Sequence, residues 1–109
     1  MPFRRIAAAL GMVLVFGCAS PIAAQDYPNR TVTMIVPFPP GGGNDTVARI
    51  VAGKLSAGLG QQVIVDNRGG ANGVIAMRAA AHASPDGYTL LFANSSTTSI
   101  NPALYANVG

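Results

Sequence analysis

Residues 31–45 read TVTMIVPFPPGGGND, and this stretch decides the fold class. Its first part, Thr31 to Phe38, is β-branched and apolar, the composition of a buried strand. The hydrophobicity is nearly continuous, which predicts a strand covered on both faces, as in a parallel sheet. Pro37 comes late enough in the run for its missing N–H to spare the strand's centre. Pro39, Pro40 and the glycines 41–43 then end the strand, and Asn44 or Asp45 offers the N-cap of a helix.

Downstream, Val47, Val51, Leu55 and Leu59 recur every four residues with Ile50 beside them, while Arg49, Lys54 and Ser56 fall elsewhere. That spacing predicts an amphipathic helix with one buried stripe, closed by Gly58 and Gly60. Gln62 to Asn67 (QVIVDN) reads as a second strand and Arg68 to Gly73 (RGGANG) as a second glycine-rich loop. Gly73 to Ala83 is an Ala-rich helix with Val74, Met77 and Ala81 on one side. Ser84-Pro85-Asp86-Gly87 is a turn in which Pro presets φ and Gly accepts the reversal. Tyr88 to Ala93 is a third strand, Asn94 to Ser99 a polar loop, and a short helix begins near Asn101-Pro102. The order β-α-β-α-β predicts an α/β fold with a parallel sheet and helices packed on it. There is no internal repeat.

Upstream, Arg4 and Arg5 precede an uncharged, mainly apolar run, Ile6 to Gly17, and small residues lead to Ile22-Ala23-Ala24. This is the layout of a secretory signal peptide over residues 1–24, and the run is shorter than the roughly 20 residues that a membrane span needs. The expected route is Sec-type export to the periplasm with cleavage after Ala24, since the residues around Arg4-Arg5 do not support twin-arginine export. Val15-Phe16-Gly17-Cys18 also resembles a lipoprotein box, although Phe16 is bulky for it, so lipid anchoring through Cys18 is the second reading.

Removing the signal lowers the formal charge from +3 to +1: Arg30, Arg49, Lys54, Arg68 and Arg78 face Asp26, Asp45, Asp66 and Asp86. No basic patch remains to argue for nucleic acid. Cys18 is the only cysteine and His82 the only histidine, which excludes a disulfide framework and a Cys/His metal cluster after cleavage, and no cofactor is expected.

In open α/β sheets ligands bind outside the carboxyl ends of the strands, here the loops Pro39 to Asp45, Arg68 to Gly73 and Asn94 to Ser99. Gly41-Gly42-Gly43 lets backbone approach a ligand, and the helix that follows points free N–H groups and its positive dipole end at the same spot. An anion is the natural guest. Neither Gly-x-x-x-x-Gly-Lys-Ser/Thr nor Gly-x-Gly-x-x-Gly occurs, because Thr46 stands where the last glycine of the latter would fall. A carboxylate suits neutral backbone donors better than a nucleotide does. A tight strand-to-helix connection with no ligand remains the alternative for these glycines. For Asn72 and Gly73 the alternative is an N-cap with a flexible neighbour, and for Asn94, Ser95, Ser96 and Thr97 a solvated loop. His82 has no Cys or Ser partner for nucleophilic catalysis, and Asp45 reads as a cap or loop-fixing residue with no second acid or base beside it.

Taken together, the motifs resemble the start of the Bug family, the tripartite tricarboxylate transporter substrate-binding proteins of Gram-negative bacteria. They are Tyr27-Pro28, Ile35-Val36-Pro37-Phe38-Pro39-Pro40-Gly41-Gly42-Gly43 with Asp45, Val65-Asp66-Asn67-Arg68 and Gly70-Ala71-Asn72-Gly73. Ser84-Pro85-Asp86-Gly87-Tyr88-Thr89-Leu90-Leu91 and Ile100-Asn101-Pro102-Ala103-Leu104-Tyr105 follow in order. The resemblance implies a periplasmic-binding-protein-like fold (Venus flytrap, type II), with residues 25–109 as the N-terminal part of the first lobe and the second lobe absent. It implies a non-catalytic, monomeric binding protein for a small mono-, di- or tricarboxylate, which it delivers to membrane transporter subunits or reports to a sensor. By the same resemblance the ligand-binding residues are Pro40, Gly41, Gly42, Gly43, Asn44 and Asp45, with Asn72, Gly73, Ser95, Ser96 and Thr97 lining the lobe. Family members continue well beyond Gly109, so the chain is expected to be a fragment. The rival readings are a non-functional truncated remnant and a piece of a nucleotide-binding α/β enzyme.

Overall fold

The computed structural model describes residues 26–105; the signal peptide and Cys18 lie outside them. Three parallel strands, β1 (Val32–Val36), β2 (Val63–Asn67) and β3 (Thr89–Leu91), pair in the order β2-β1-β3. Helix α1 (Gly43–Leu59) joins β1 to β2 and α2 (Val74–Ala81) joins β2 to β3. The predicted β-α-β-α-β order is therefore present. From β1 the chain steps one way to β2, then back past β1 to β3. Two right-handed crossovers in opposite directions must cover opposite faces of the sheet.

Alternate strand residues confirm those faces. Val32, Met34, Val36 and Val63 form the core with Ala48 and Ala52 of α1, and Leu55, Val65, Leu90 and Phe92 pack around them. Burying each such large aliphatic side chain contributes about 2 kcal/mol. On the other face, Thr33, Ile35, Ile64 and Thr89 line a groove beside Ala79 of α2, so this face is only partly covered.

The buried face of α1 differs from the predicted stripe. Asp45, Ala48 and Ala52 are buried, whereas Val47 and Ile50 are 51% and 61% exposed. Two causes act together. The alanines let the helix lie against a sheet of short strands, and Asp45 is tied to the end of β2, which fixes the helix's rotation. On α2 the buried residues are Val74 and Ala76, not the Val74, Met77, Ala81 line. Gly60 ends α1 in the left-handed region (φ +69°) with its N–H donating to Ser56 O, and Ser56 Oγ accepts the Val63 N–H, so the helix end sets the start of β2.

At the opposite end of the sheet from the loops of interest, Tyr27 donates its hydroxyl to Gly87 O, and Arg30 lies 3.8 Å over the Tyr88 ring while pairing with Asp86 at 3.1 Å. The lead-in and the turn before β3 are thereby held together. No helix among the described residues is long and apolar enough to cross a membrane.

Candidate functional site

The order β2-β1-β3 makes β1 and β3 neighbours whose connections diverge, which opens a crevice at their carboxyl ends. The loop after β1 has three glycines but needs only one for its own geometry. Gly41 has φ +91°, a conformation that requires glycine. Gly42, at φ −80°, and the helical Gly43 do not. A Cβ at Gly43 would meet nothing within 4 Å, and one at Gly42 would meet only Pro39 O at an ordinary 3.8 Å. The sequence expectation of Asn44 or Asp45 as N-cap is corrected: Gly42 is the N-cap, and no side chain caps the helix. The first N–H groups of any helix lack intrahelical acceptors, so the first turn of α1, just past the carboxyl end of β1, carries backbone donors that no side chain caps.

Asp45 is 4% exposed and its carboxylate is fully engaged inside the protein. Oδ2 accepts the Gly41 N–H at 3.0 Å and Arg49 Nε at 2.9 Å, while Oδ1 accepts Asn67 Nδ2 at 2.9 Å. The Arg49 guanidinium, the Gly41 N–H and the Asn67 amide together hold its pKa at about 2, below the ordinary 3.8, against the opposing effect of burial. Asp45 is thus the loop-fixing residue read from the sequence. Its partners Arg49 and Asn67 were missed. The four-residue spacing of Asp45 and Arg49 on a predicted helix was the available signal for one of them.

The loops after β2 and β3 are built differently. Gly70, Ala71, Asn72 and Gly73 all have positive φ. Asn72 is no N-cap: its amide donates to Asn101 Oδ1 at 2.9 Å, and the fully buried Asn101 returns its Nδ2 to Asn72 O at 2.6 Å. Gly73 is buried, and a Cβ there would lie 2.6 Å from Thr97 Cγ2 and 3.1 Å from Pro37 Cβ. Thr97 is fully buried, donating Oγ1 to Asn94 O at 2.9 Å and accepting the Asn94 N–H at 3.1 Å. The predicted polar loop is instead a wide helical turn, Ser96–Ile100, in which the Asn101 N–H reaches Ser96 O before α3 (Asn101–Leu104) begins. Turns of this i→i+5 type recur at functional sites.

Pro37, Gly73 and Thr97 therefore pack the three loops into one cluster. Of the sequence-predicted site residues, Pro40, Gly41, Gly42, Gly43, Asn72 and Ser95 are exposed, Asn44 and Ser96 half-buried, and Asp45, Gly73 and Thr97 buried. No group of His, Cys, Asp and Glu that could hold a metal occurs among the described residues.

A family model described as the tripartite tricarboxylate transporter family receptor matches residues 47–109. The chain belongs to this receptor family. It is 48% identical over 97 residues to protein BugT of Bordetella pertussis (strain Tohama I), covering 88% of this chain and 30% of BugT. A solved structure of a periplasmic transporter superposes with a TM-score of 0.69 at 51% identity, covering 71% of this chain and 26% of that one. MatC from Rhodopseudomonas palustris, solved with bound malate, gives a TM-score of 0.58 at 48% identity, over 60% of this chain and 22% of MatC. The chain thus spans under a third of the length of each of these receptor-family relatives. The α/β architecture is that of the periplasmic receptors, with a three-stranded portion of their sheet described.

Proposed function

We propose that residues 25–109 form the N-terminal part of the first lobe of a periplasmic solute-binding protein, with the Gly42–Asn44 backbone as the wall that receives one carboxylate of a small organic acid. The observation that carries this reading is the pair Gly42 and Gly43, which the fold itself does not require, at the uncapped start of a 17-residue helix in the β1/β3 crevice. Backbone amides at a helix start favour an anion without needing a cation. Arg49 and Arg68 are engaged by carboxylates, Arg49 by Asp45 and Arg68 by Asp66, both at 2.9 Å. Malate bound to MatC supports the ligand class. In this reading Asn72, Ser95 and Ser96 line the lobe from the neighbouring loops, while Asp45, Gly73 and Thr97 act by fixing those loops. The protein captures and releases its ligand without turnover, as a monomer. It hands the ligand to membrane transporter subunits, or to a sensor, after export by the signal peptide of residues 1–24 or anchored at Cys18.

Titration calorimetry of the full-length protein tests this with malate, citrate and the uncharged dimethyl malate. Binding of at least one acid, with no heat from the ester, is the expected result, and Gly43→Val should weaken it at unchanged melting temperature. Equal binding of acid and ester, or wild-type affinity in Gly43→Val, would remove the anion-receiving role of this loop.

A further inference from the structure

We infer that Asn67, at the carboxyl end of β2, is a positioning residue for the anion-receiving loop: its one side-chain amide holds both ends of the segment from Phe38 to Asp45. The inference rests on the function proposed above for that loop. Asn67 Nδ2 donates to Phe38 O at 3.0 Å and to Asp45 Oδ1 at 2.9 Å, and Asn67 Oδ1 accepts Arg49 Nη2 at 3.2 Å. Between the two held ends lie Pro39, Pro40, Gly41, Gly42, Gly43 and Asn44. Three successive glycines have no side chains to order themselves, and a loop that must present its amides in one arrangement needs its ends fixed from outside. The position calls for two donors and an acceptor on one short planar group, which only a carboxamide supplies. Asn67 lies on the α1 side of the sheet with Val63 and Val65, and its amide bonds go to the two ends of the loop and to Arg49, so it acts through the loop.

The charged groups around position 67 are Asp45 and Arg49 of α1 and, on β2 itself, Asp66, whose carboxylate is paired with Arg68. Residues 32–36 of β1 contribute none. A carboxylate placed at 67 would lose both donors and stand against Asp45, while the Arg49 guanidinium that bonds Asn67 Oδ1 would favour its ionised form. Asn67→Asp therefore removes both donated bonds while keeping the size and shape of the side chain.

The test is malate affinity of the full-length wild type, Asn67→Asp and Asn67→Ser at pH 8, with the Gly41 amide followed in glycine-labelled nitrogen-15 spectra. Asn67→Asp should bind about tenfold more weakly than wild type, equivalent to one lost charge-assisted hydrogen bond. Asn67→Ser, whose hydroxyl reaches one end of the loop at most, should also weaken binding. The Gly41 resonance should move in both variants. Wild-type affinity in a folded Asn67→Asp or Asn67→Ser would overturn the inference. A wild type that binds no malate would count against the proposed function instead. The Gly41 resonance alone then decides the clasp, and its standing unmoved in both variants would refute it.

Discussion

Two pairs of glycines in this protein answer to different masters. Gly70 and Gly73 are demanded by the fold: both have positive φ, and at Gly73 a Cβ would also lie 2.6 Å from Cγ2 of the buried Thr97. Gly42 and Gly43 are demanded by neither backbone angle nor crowding. The first pair is explained by backbone angle and packing, and the second is the pair that the proposed function assigns to a ligand. In sequence, GGGND and GGANG look alike, and only the space around each Cα separates them.

The largest effect that sharpens this contrast is Gly73→Ala. Strain at φ +91° and overlap with a pinned threonine should lower stability by about 3 kcal/mol in urea unfolding, whereas Gly43→Ala should stay within about 0.5 kcal/mol of wild type. Equal effects of the two would break the distinction. Next, Asn101→Ala removes both bonds that hold Asn72 and leaves a buried gap, so a loss of about 2 kcal/mol is expected by the same measurement.

A third test concerns the anchoring of the loop after β1. The folded pKa of Asp45, about 2, lies below its unfolded value near 3.8, so its contribution to stability is present above pH 4 and is lost as pH falls through 2. Melting temperature followed from pH 7 to pH 2 should therefore hold this contribution until below pH 4. In Asp45→Asn that part of the acid-induced fall should be missing, and an unchanged profile would show that the carboxylate does not anchor the loop. The smallest effect is at Ala71, a non-glycine residue at φ +48°. Ala71→Gly should be neutral or stabilising by about 0.5 kcal/mol, the left-handed strain relieved less the added chain entropy of glycine. Destabilisation would mean that the Ala71 methyl makes a contact the loop needs.

Much of the fold was legible. The apolar run ending at Pro37, the glycine stop after α1 and the Ser84–Gly87 turn each punctuate the chain by local chemistry, so strand and helix order followed. The family also followed, because several motifs occurred together at fixed spacing. What escaped was rotation and commitment. Val47 and Ile50 promised a buried stripe, yet the helix turns Asp45, Ala48 and Ala52 to the sheet because Asp45 is fastened across to Asn67. Thr97 was expected to line the lobe or a solvated loop, yet it is buried and its hydroxyl is engaged by Asn94, with its Cγ2 against Gly73.

By itself the sequence determined the element order, the parallel sheet and the glycine-rich stop after β1, because strand composition, proline and glycine act within a few residues of where they stand. Only the tertiary structure decided which glycines are packed and which are bare, and that Asn67 and Asn101 hold the loops around them. Those facts depend on atoms brought together from 22 and 29 residues apart, a separation that local patterning does not encode.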